Sequence, residues 1–569
     1  AGMADGETHY NLGVALQMQR HFADAARAYQ RALAFRPDLV DAHFNLGVLF
    51  QEQGMTDAAI TAFGEVLAAD PANVAAYRNQ GEVLFAAGRI DAYLANFRRF
   101  EARCPDALPL AVQALVACQL QGDFAAIERY LDGLRQERYA AQSEAELVDA
   151  LEELLYLLLY FDVEPAMLNH FYGMYDTVAR HAYGEPVPRP AARRAGRVRI
   201  GYLSGDLRNH VMGKMVWAAL EHHDKARFEL FFYALSDVDD EWTAKFRGLA
   251  NHFHVLAHVP ERAAAARIAS DDLDVLVDLA THTKNARPGI LAAKPARVQV
   301  THVASAGAVG LAAIDFKLTD AFADAPGNQA FLLETLLPMD GCVYPYRHVA
   351  PAVLHPFHRE ALGIDADAIT IGAFVSPLKL SRRCLMLWRE VLARIPRARL
   401  VFSPVDPALR GAIERLLASG GIAPDRALFI PQGRDDAENQ ARYALVDFVL
   451  DPMPYGGVNG TLEALDMGVP VVTLQGRRHG ERTSYSILAN LGVTETVATS
   501  GTEYADIAVR LATDPAFMRD IRGRIRDGLG KSVLTDMPAH TRSLERALLA
   551  ALAAKAPEVL PAAGERADG

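Results

Sequence analysis

Apolar and small residues return every 34 positions over roughly the first 120 residues. Leu12-Gly13 recurs as Leu46-Gly47, and Gly81 follows 34 later. Ala25 recurs as Ala59, Tyr29 as Phe63 and Phe97, while Pro37, Pro71 and Pro105 close successive units. Two amphipathic helices per unit, small residues where they cross and proline ending the second form the tetratricopeptide pattern. It predicts an α-helical solenoid over 1–140, with a worn fourth unit marked by Gly122, 34 residues after Gly88. From Ser143 to Gly184 the pattern stays helical but leaves this frame. PVPRPAARRAG (186–196) reads as an extended linker, so 141–196 is expected to be transitional helices and linker.

The period then shortens. RVRIGYLSGD (197–206), FELFFYALS (228–236), LDVLVDLAT (273–281) and ARVQVTHV (296–303) are apolar runs with helical stretches between them. The pattern restarts at Ala368 with ITIGAFVS (369–376), ARLVFSP (398–404), RALFIPQ (426–432), FVLDP (448–452) and VPVVTL (469–474). Apolar strands alternating with helices predict parallel sheets covered on both faces. We therefore expect α/β twin Rossmann-like lobes at 197–350 and 351–536, then a C-terminal helix and tail at 537–569. Ligands of such sheets bind beyond the carboxyl ends of the strands, and between two lobes those ends face a cleft.

Composition narrows the class. The 569 residues carry 58 Lys+Arg against 70 Asp+Glu, a net charge of −12, which argues against wholesale nucleic-acid binding. Cys104, Cys118, Cys342 and Cys384 form no C-x-x-C, so neither a zinc ribbon nor a disulfide framework is indicated. This usage suits a reducing, cytoplasmic location. The apolar run LLYLLLYF (154–161) is far short of the ~20 residues of a membrane span and reads as a buried helix. No signal peptide is recognised, and AGMADG reads as a cloning remnant or truncated start.

Several positions carry candidate chemistry. Asn11, Asn45 and Asn79 share one place in successive repeats, with Gln113 continuing the series. An amide can both donate to and accept from a peptide backbone, so this ladder is a candidate peptide-binding face; the alternative is a tolerated polar helix site. PYGGVNGTLEALDMG (454–468) follows the strand FVLDP and enters a helix. Its glycines allow close backbone approach, and the helix start offers N–H groups to an anion, with Glu463 within reach of ribose; the alternative is a tight-turned loop with an acid satisfying the helix dipole. Lys379 in SPLKL and Arg442 before FVLDP are placed to point at the same mouth. The Asp-Asp pairs 239–240, 271–272 and 435–436 read as solvated acids or helix caps, and no metal or other cofactor is expected. His210 is a base candidate by its ionisation range, or only orients substrate; His282 in ATHT is a second cleft candidate.

GGVNGTLEALDMGVPVVTL resembles the nucleotide-sugar site of two-lobed glycosyltransferases of GT-B type. The fuller resemblance is to the O-linked N-acetylglucosamine transferase family, in which tetratricopeptide repeats precede such lobes, and the chain reads as a bacterial member. RVRIGYLSGDLRNH, DVLVDLATHTKNARPGI, KPARVQVTHVASAGAVG and IDFKLTD match in order, as do SPLKLS, LVDFVLDPMPYGG, VVTLQG and ERTSYSIL. The resemblance implies that His210 acts near the acceptor, that Lys379 neutralises the leaving diphosphate and that Arg442 lies near the nucleotide. It implies that Asn459, Gly460 and Thr461 hold the phosphates, that Glu463 binds ribose, and that Gly307 and Gly310 form a turn beside the sugar. Ser376 and Asn439 complete the nucleotide-sugar set, Asn439 standing where animal relatives have a base-stacking histidine. Two hydroxyls of the family turn are absent from Ser305–Gly310, and Val458-Asn459-Gly460 replaces a His-Thr-Thr run.

The implied reaction is inverting, metal-independent transfer of N-acetylglucosamine from its UDP donor to Ser or Thr of a protein guided by the repeats. The partners are thus a UDP-sugar and a protein or peptide, with neither nucleic acid nor membrane. The open alternatives are another donor sugar (glucose or fucose), an Asn acceptor, or a peptide-binding scaffold with little turnover.

Overall fold

The computed structural model describes residues 5–190, 193, 196–303, 305–348, 359–365, 367–430, 433 and 436–559. The chain divides into two compact units, 1–150 with 406–416, and 151–405 with 417–569.

The first unit contains four helix pairs: Gly6–Met18 with Phe22–Phe35, Val40–Glu52 with Thr56–Ala69, Val74–Ala86 with Ile90–Arg103, and Leu108–Gln121 with Phe124–Arg135. The sequence period has a direct steric cause. A Cβ at Gly47 would lie 2.6 Å from the Phe63 ring, and one at Gly13 2.6 Å from Tyr29, so glycine lets the aromatic of the second helix press against the first. Gly54, Gly88 and Gly122 sit 34 apart at the turns with φ of +68°, +68° and +71°; Arg20 adopts the same left-handed turn at φ 61°. Asn45 and Asn79 are half-buried and Asn11 is exposed. The Asn45 amide donates to Tyr10 Oη (3.2 Å) and that of Asn79 to Ala75 O (2.8 Å).

Helices Glu144–Leu157 and Pro165–Tyr183 follow, and the LLYLLLYF run ends as the 3-10 turn Leu158–Tyr160. The 186–196 stretch is pinned, not free: Val187 N–H donates to Ala293 O at 2.9 Å, and Arg193 pairs with buried Asp274 at 2.8 Å. Residues 191, 192, 194 and 195 of that stretch lie outside the described residues.

The second unit carries two wholly parallel sheets. In the first, β1 (Val198–Ser204), β2 (Phe228–Ala234), β3 (His252–Val255), β4 (Val275–Asp278), β5 (Val298–Thr301), β6 (Phe316–Thr319) and β7 (Thr335–Pro338) lie in the order β3-β2-β1-β4-β5-β6-β7. In the second, β8 (Ile369–Gly372), β9 (Ala398–Phe402), β10 (Ala427–Phe429), β11 (Phe448–Leu450), β12 (Val471–Leu474) and β13 (Val497–Ala498) run β10-β9-β8-β11-β12-β13. Both orders are doubly wound, and the direction of winding reverses between β1 and β4 and between β8 and β11. Crevices open at such points, beyond the strand ends. The apolar runs correspond to β1, β2, β4, β5 and β8 to β12; β3, β6, β7 and β13 are additional to them.

The helix Met537–Lys555 packs on the first lobe, not the second. Thr541 Oγ1 donates to Ala219 O (2.6 Å), Ser543 Oγ accepts from Asp340 N–H (2.9 Å), and Glu545 Oε1 accepts from Asp224 N–H (2.9 Å).

Candidate active site

A cavity of about 240 Å³ lies between the lobes. Its second-lobe wall is the carboxyl edge of β8 and β11, with Phe374, Val375 and Lys379 beyond β8, Asp451 beyond β11, and the chain from Tyr455 to Thr461. Its first-lobe wall is Met212 and Met215 from the helix Val211–Leu220, Val303, Ser305 and Ala306 after β5, and Tyr344 after β7.

Lys379 ends the 3-10 turn Pro377–Lys379 that follows β8. Its Nζ donates to Gly456 O at 2.9 Å and lies 4.2 Å from the centroid of the Tyr455 ring. Burial pushes its pKa down to about 8, against the attraction of Asp451, which raises it. The helix Asn459–Asp466 begins beside this ammonium, and its N-cap, Val458, makes no side-chain capping bond. Leu462 N–H bonds to Val458 O. Among the described residues the N–H groups of 459–461 have no acceptor, so three donors and the positive end of the helix dipole face the cavity.

Asp451 is 3% exposed and underpins this loop. Its Oδ1 accepts from Gly457 N–H and its Oδ2 from Thr473 Oγ1, both at 2.7 Å. Burial raises its pKa. The glycines divide by role. A Cβ on Gly456 would lie 2.8 Å from Asp451 Oδ2 and Thr483 Oγ1, and one on Gly457 2.7 Å from Thr461 Oγ1, whereas a Cβ on Gly460 would meet nothing within 4 Å. Gly456 and Gly457 therefore admit their own supporting side chains, and none of the three has a positive φ.

The sequence-derived site residues separate into those lining the cavity and those beside it. Lys379, Asn459, Gly460 and Thr461 line it. Thr461 Oγ1 is engaged by Ser484 Oγ at 2.7 Å, leaving its N–H as the group facing a ligand. Glu463 does not line it: its carboxylate accepts from Tyr443 Oη (2.9 Å), Arg442 Nη2 (3.2 Å) and Asn459 Nδ2 (2.5 Å). Arg442 opens the 3-10 turn Arg442–Leu445, with its guanidinium 5.0 Å from the centroid of the Phe374 ring. Arg442 thus borders the cavity through Phe374. Ser376 is exposed ahead of Lys379, and Asn439 Oδ1 accepts from Gly433 N–H at 2.9 Å away from the lining.

On the first-lobe side the turn divides between two cavities. Ser305 and Ala306 face the cavity; Gly307 lines a second cavity of about 50 Å³. Gly310 is a structural glycine, with φ +75°, the Tyr172 ring where a Cβ would be, and its N–H on Glu334 Oε1 at 2.8 Å. His210 caps the helix Val211–Leu220: Nδ1 accepts from Met212 N–H at 3.3 Å and lies 3.3 Å from Asp206 Oδ2. Its side chain is 41% exposed and stands beside the lining made by Val211 and Met212. His282 donates Nε2–H to Val309 O at 2.7 Å and stacks edge-on against Tyr175; burial lowers its pKa to about 4, so it is a packed imidazole outside the cleft.

The acidic pairs also resolve. Asp240 caps the helix Glu241–Leu249. Asp272 is fully buried and paired with Arg297 at 2.7 Å, correcting its reading as a solvated acid or cap. Asp435 lies outside the described residues. Asp451 and Tyr344 are missed by the sequence reading. The first carries a signal, an acid closing an apolar strand just before a glycine-rich loop.

The fold agrees with comparisons to known proteins. The model of glycosyl transferase family 41 matches residues 176–336 and 349–544. The chain belongs to glycosyl transferase family 41. Tetratricopeptide-repeat models match residues 22–54 and 49–107. Relatives in this family include the probable UDP-N-acetylglucosamine–peptide N-acetylglucosaminyltransferases SPINDLY of Petunia hybrida (29% identical, 61% of this chain and 38% of that one) and of Oryza sativa (30%, 61% and 38%). The similarly named SEC protein of Arabidopsis thaliana is 28% identical over 64% of this chain and 38% of its own. The chain thus spans about two fifths of the length of these curated relatives. Among solved structures, a mutant of the Thermobaculum terrenum O-GlcNAc transferase superposes with a TM-score of 0.71 at 26% identity, covering 96% of this chain and 98% of that one.

Proposed function

We propose that the chain transfers N-acetylglucosamine from its UDP donor to Ser or Thr hydroxyls of proteins, with inversion and without a metal ion. The observation that carries this reading is Lys379 beside the uncapped helix start 459–461, at the carboxyl edge of β8 and β11. A diphosphate seated there has its developing charge met by an ammonium and by fixed N–H dipoles, which is how a leaving group is stabilised without a bound cation. Family membership and the relatives' names support the donor and the acceptor class. Inversion is supported by Asp451, the sole carboxylate among the described lining residues, which is already committed to Gly457 and Thr473. A retaining route by double displacement needs a free nucleophile on the sugar's far face. The tetratricopeptide repeats would supply the peptide-binding part. The four cysteines are free thiols, in keeping with a cytoplasmic setting, and no helix of the described residues is long and apolar enough to cross a membrane.

Calorimetry with UDP, GDP and UDP-N-acetylglucosamine, followed by mass spectrometry of a Ser/Thr peptide pool, tests the reading. UDP binding with a mass gain of one N-acetylhexosamine is expected, and proton NMR of the sugar linkage reports the anomer. Preference for GDP would reassign the donor. UDP binding with no transfer to any peptide or lysate protein would favour a scaffold.

A further inference from the structure

Behind the first-lobe wall lies a chain of buried polar groups that the nucleotide site does not use. Tyr344 lines the main cavity, and its Oη is 2.8 Å from His479 Nε2. On the other edge of that imidazole, Nδ1 is 2.8 Å from Asp324 Oδ2 and 3.0 Å from Lys317 Nζ. Asp324 is fixed in turn by Thr319 Oγ1 (2.6 Å) and Asn328 Nδ2 (3.2 Å). His479 and Asp324 also line the second cavity.

The geometry gives the imidazole two self-consistent arrangements. With a proton on Nδ1, the ring donates to Asp324, the Lys317 ammonium faces Asp324 Oδ2 (3.9 Å) instead, and Nε2 accepts from the Tyr344 hydroxyl. With Nδ1 bare, Lys317 donates to it and Nε2–H donates to Tyr344 Oη, so that the phenolic O–H turns toward the cavity. A carboxylate and an ammonium on the same nitrogen are what allow this exchange. A phenol at the cavity wall, an imidazole behind it and a carboxylate behind that reproduce the order of a base oriented by an acid.

We propose that Tyr344, His479 and Asp324 form a proton relay that removes the proton of the acceptor hydroxyl during transfer. The proposal rests on the sugar-transfer reading above and deepens it by naming the proton's route. As the acceptor oxygen bonds to C1 of the sugar, the C1–O bond to the diphosphate breaks and its electron pair leaves with UDP. The acceptor O–H bond breaks in the same event. That proton passes to Tyr344 Oη while the phenolic proton passes to His479 Nε2, and Asp324 holds the imidazolium through Nδ1–H. The positive charge formed on His479 balances the negative charge gained by the diphosphate. The proton then leaves to water on the side of the second cavity.

Two electrostatic features fit these roles. Burial, with Asp320, Cys342 and Asp324 adding to it, raises the Tyr344 pKa well above its ordinary value, so the phenol passes a proton on without storing charge. Burial raises the Asp324 pKa, but the imidazolium that His479 becomes, with Lys317 beside it, outweighs burial and holds the carboxyl far below the usual range once the proton has arrived. Asp324 therefore stays an anion, able to stabilise the imidazolium without taking its proton. His210, capping its helix through Nδ1, is thereby left to positioning the acceptor.

The test uses the full chain with UDP-N-acetylglucosamine and a Ser/Thr peptide pool. In Tyr344→Phe we expect kcat to fall about 100-fold, with peptide KM and calorimetric UDP affinity unchanged. The wild type should show a solvent deuterium effect on kcat with a bowed proton inventory, and the variant should lose the bow. His479→Gln should lose a similar factor, and the double variant should be no worse than the weaker single one, as for groups acting as a unit. Intact UDP binding reports that each variant is folded. Wild-type kcat in Tyr344→Phe, or losses that multiply in the double variant, overturns the relay alone. A wild type that binds UDP and transfers nothing overturns the transfer reading and the relay with it.

Discussion

The ammonium of Lys379 donates to the carbonyl oxygen of Gly456 across 2.9 Å, tying the first turn after β8 to the loop after β11. The two strands where the second sheet reverses its winding are thus joined at the point where a diphosphate would lie. Because burial lowers the Lys379 pKa to about 8, its charge is present below that pH and lost above it. We expect kcat/KM to fall as pH rises through about 8. The limb in kcat should lie higher, since a bound diphosphate favours the ammonium. Lys379→Met should lower kcat roughly 100- to 1,000-fold, as for loss of one transition-state donor. The unfolded chain titrates Lys379 near 10.5, so the unliganded fold bears a cost for the buried charge that is relieved as pH rises from about 8 toward 10.5. The variant's melting temperature should therefore be unchanged or higher. A flat pH profile from 7 to 9.5 would remove Lys379 from the chemistry.

The three glycines of the loop should separate folding from binding. Gly456→Ala puts a methyl 2.8 Å from Asp451 Oδ2 and Thr483 Oγ1, and the loop must shift. We expect a loss of about 1–3 kcal/mol in chemical denaturation, the range for overpacking. Gly460→Ala meets nothing within 4 Å and adds a better helix former, so stability should hold or rise slightly. Its methyl projects into space that a ligand at the helix start would occupy. We expect UDP affinity to fall 10-fold or more in Gly460→Ala with the denaturation midpoint unchanged. Equal UDP affinity in that variant would place the diphosphate elsewhere.

The central strands were legible because both of their faces are buried. LDVLVDLA and FVLDP are mostly apolar, and the β4 and β11 residues they supply are all buried. The edge strands β3 and β13 were not, although the edge strand β10 was: β3 is His-Phe-His-Val with two exposed and two half-buried residues, and β13 is only two residues long. In the site, 459–461 were legible because a glycine-rich strand-to-helix turn is a local signal, and Lys379 because it closely follows the first strand of the second lobe. Tyr344 and His479 are 135 residues apart, and only tertiary folding joins them. Glu463 shows the converse. Read as the third residue of TLEALDM it stood close to the helix start, but the helix begins at Asn459, and Tyr443, Arg442 and Asn459 all donate to its carboxylate.

The C-terminal helix should prove integral to the first lobe. Tyr202 Oη is 2.6 Å from His223 Nε2, and His223 Nδ1 is 2.9 Å from Glu545 Oε1, with the side chains of His223 and Glu545 0% and 6% exposed. Removing one partner of such a buried hydrogen-bonded pair leaves the other unsatisfied, a loss of about 1–3 kcal/mol. We expect Glu545→Ala to lower the denaturation midpoint and to increase amide exchange over Met537–Lys555 and Val211–Leu220, which pack together. Unchanged exchange in Val211–Leu220 would mean that the helix is a detachable appendage.

The repeat asparagines are open to a test that separates binding from helix composition. Asn45 and Asn79 each spend their amide donor inside the fold, on Tyr10 and on the Ala75 carbonyl, while their oxygens make no internal bond among the described residues. An acceptor peptide would therefore meet carbonyl oxygens that can take its N–H groups, and exposed Asn11 would offer both functions. Replacing all three by Ala improves helix propensity by a few tenths of a kcal/mol each. The far-UV circular dichroism melt should hold or rise slightly. If the ladder grips peptide backbone, KM for protein acceptors should rise several-fold to tenfold, as for loss of a few hydrogen bonds worth about 0.5–1.5 kcal/mol each. UDP affinity and the slow hydrolysis of UDP-N-acetylglucosamine should not change, because neither requires the acceptor. The effect should be larger on whole proteins than on peptides of a few residues, which cannot span successive repeats. A triple variant with unaltered KM for whole proteins would show that these positions are only polar sites on the helices, and acceptor choice would have to be sought in the cavity wall at Met212, Met215 and Tyr344.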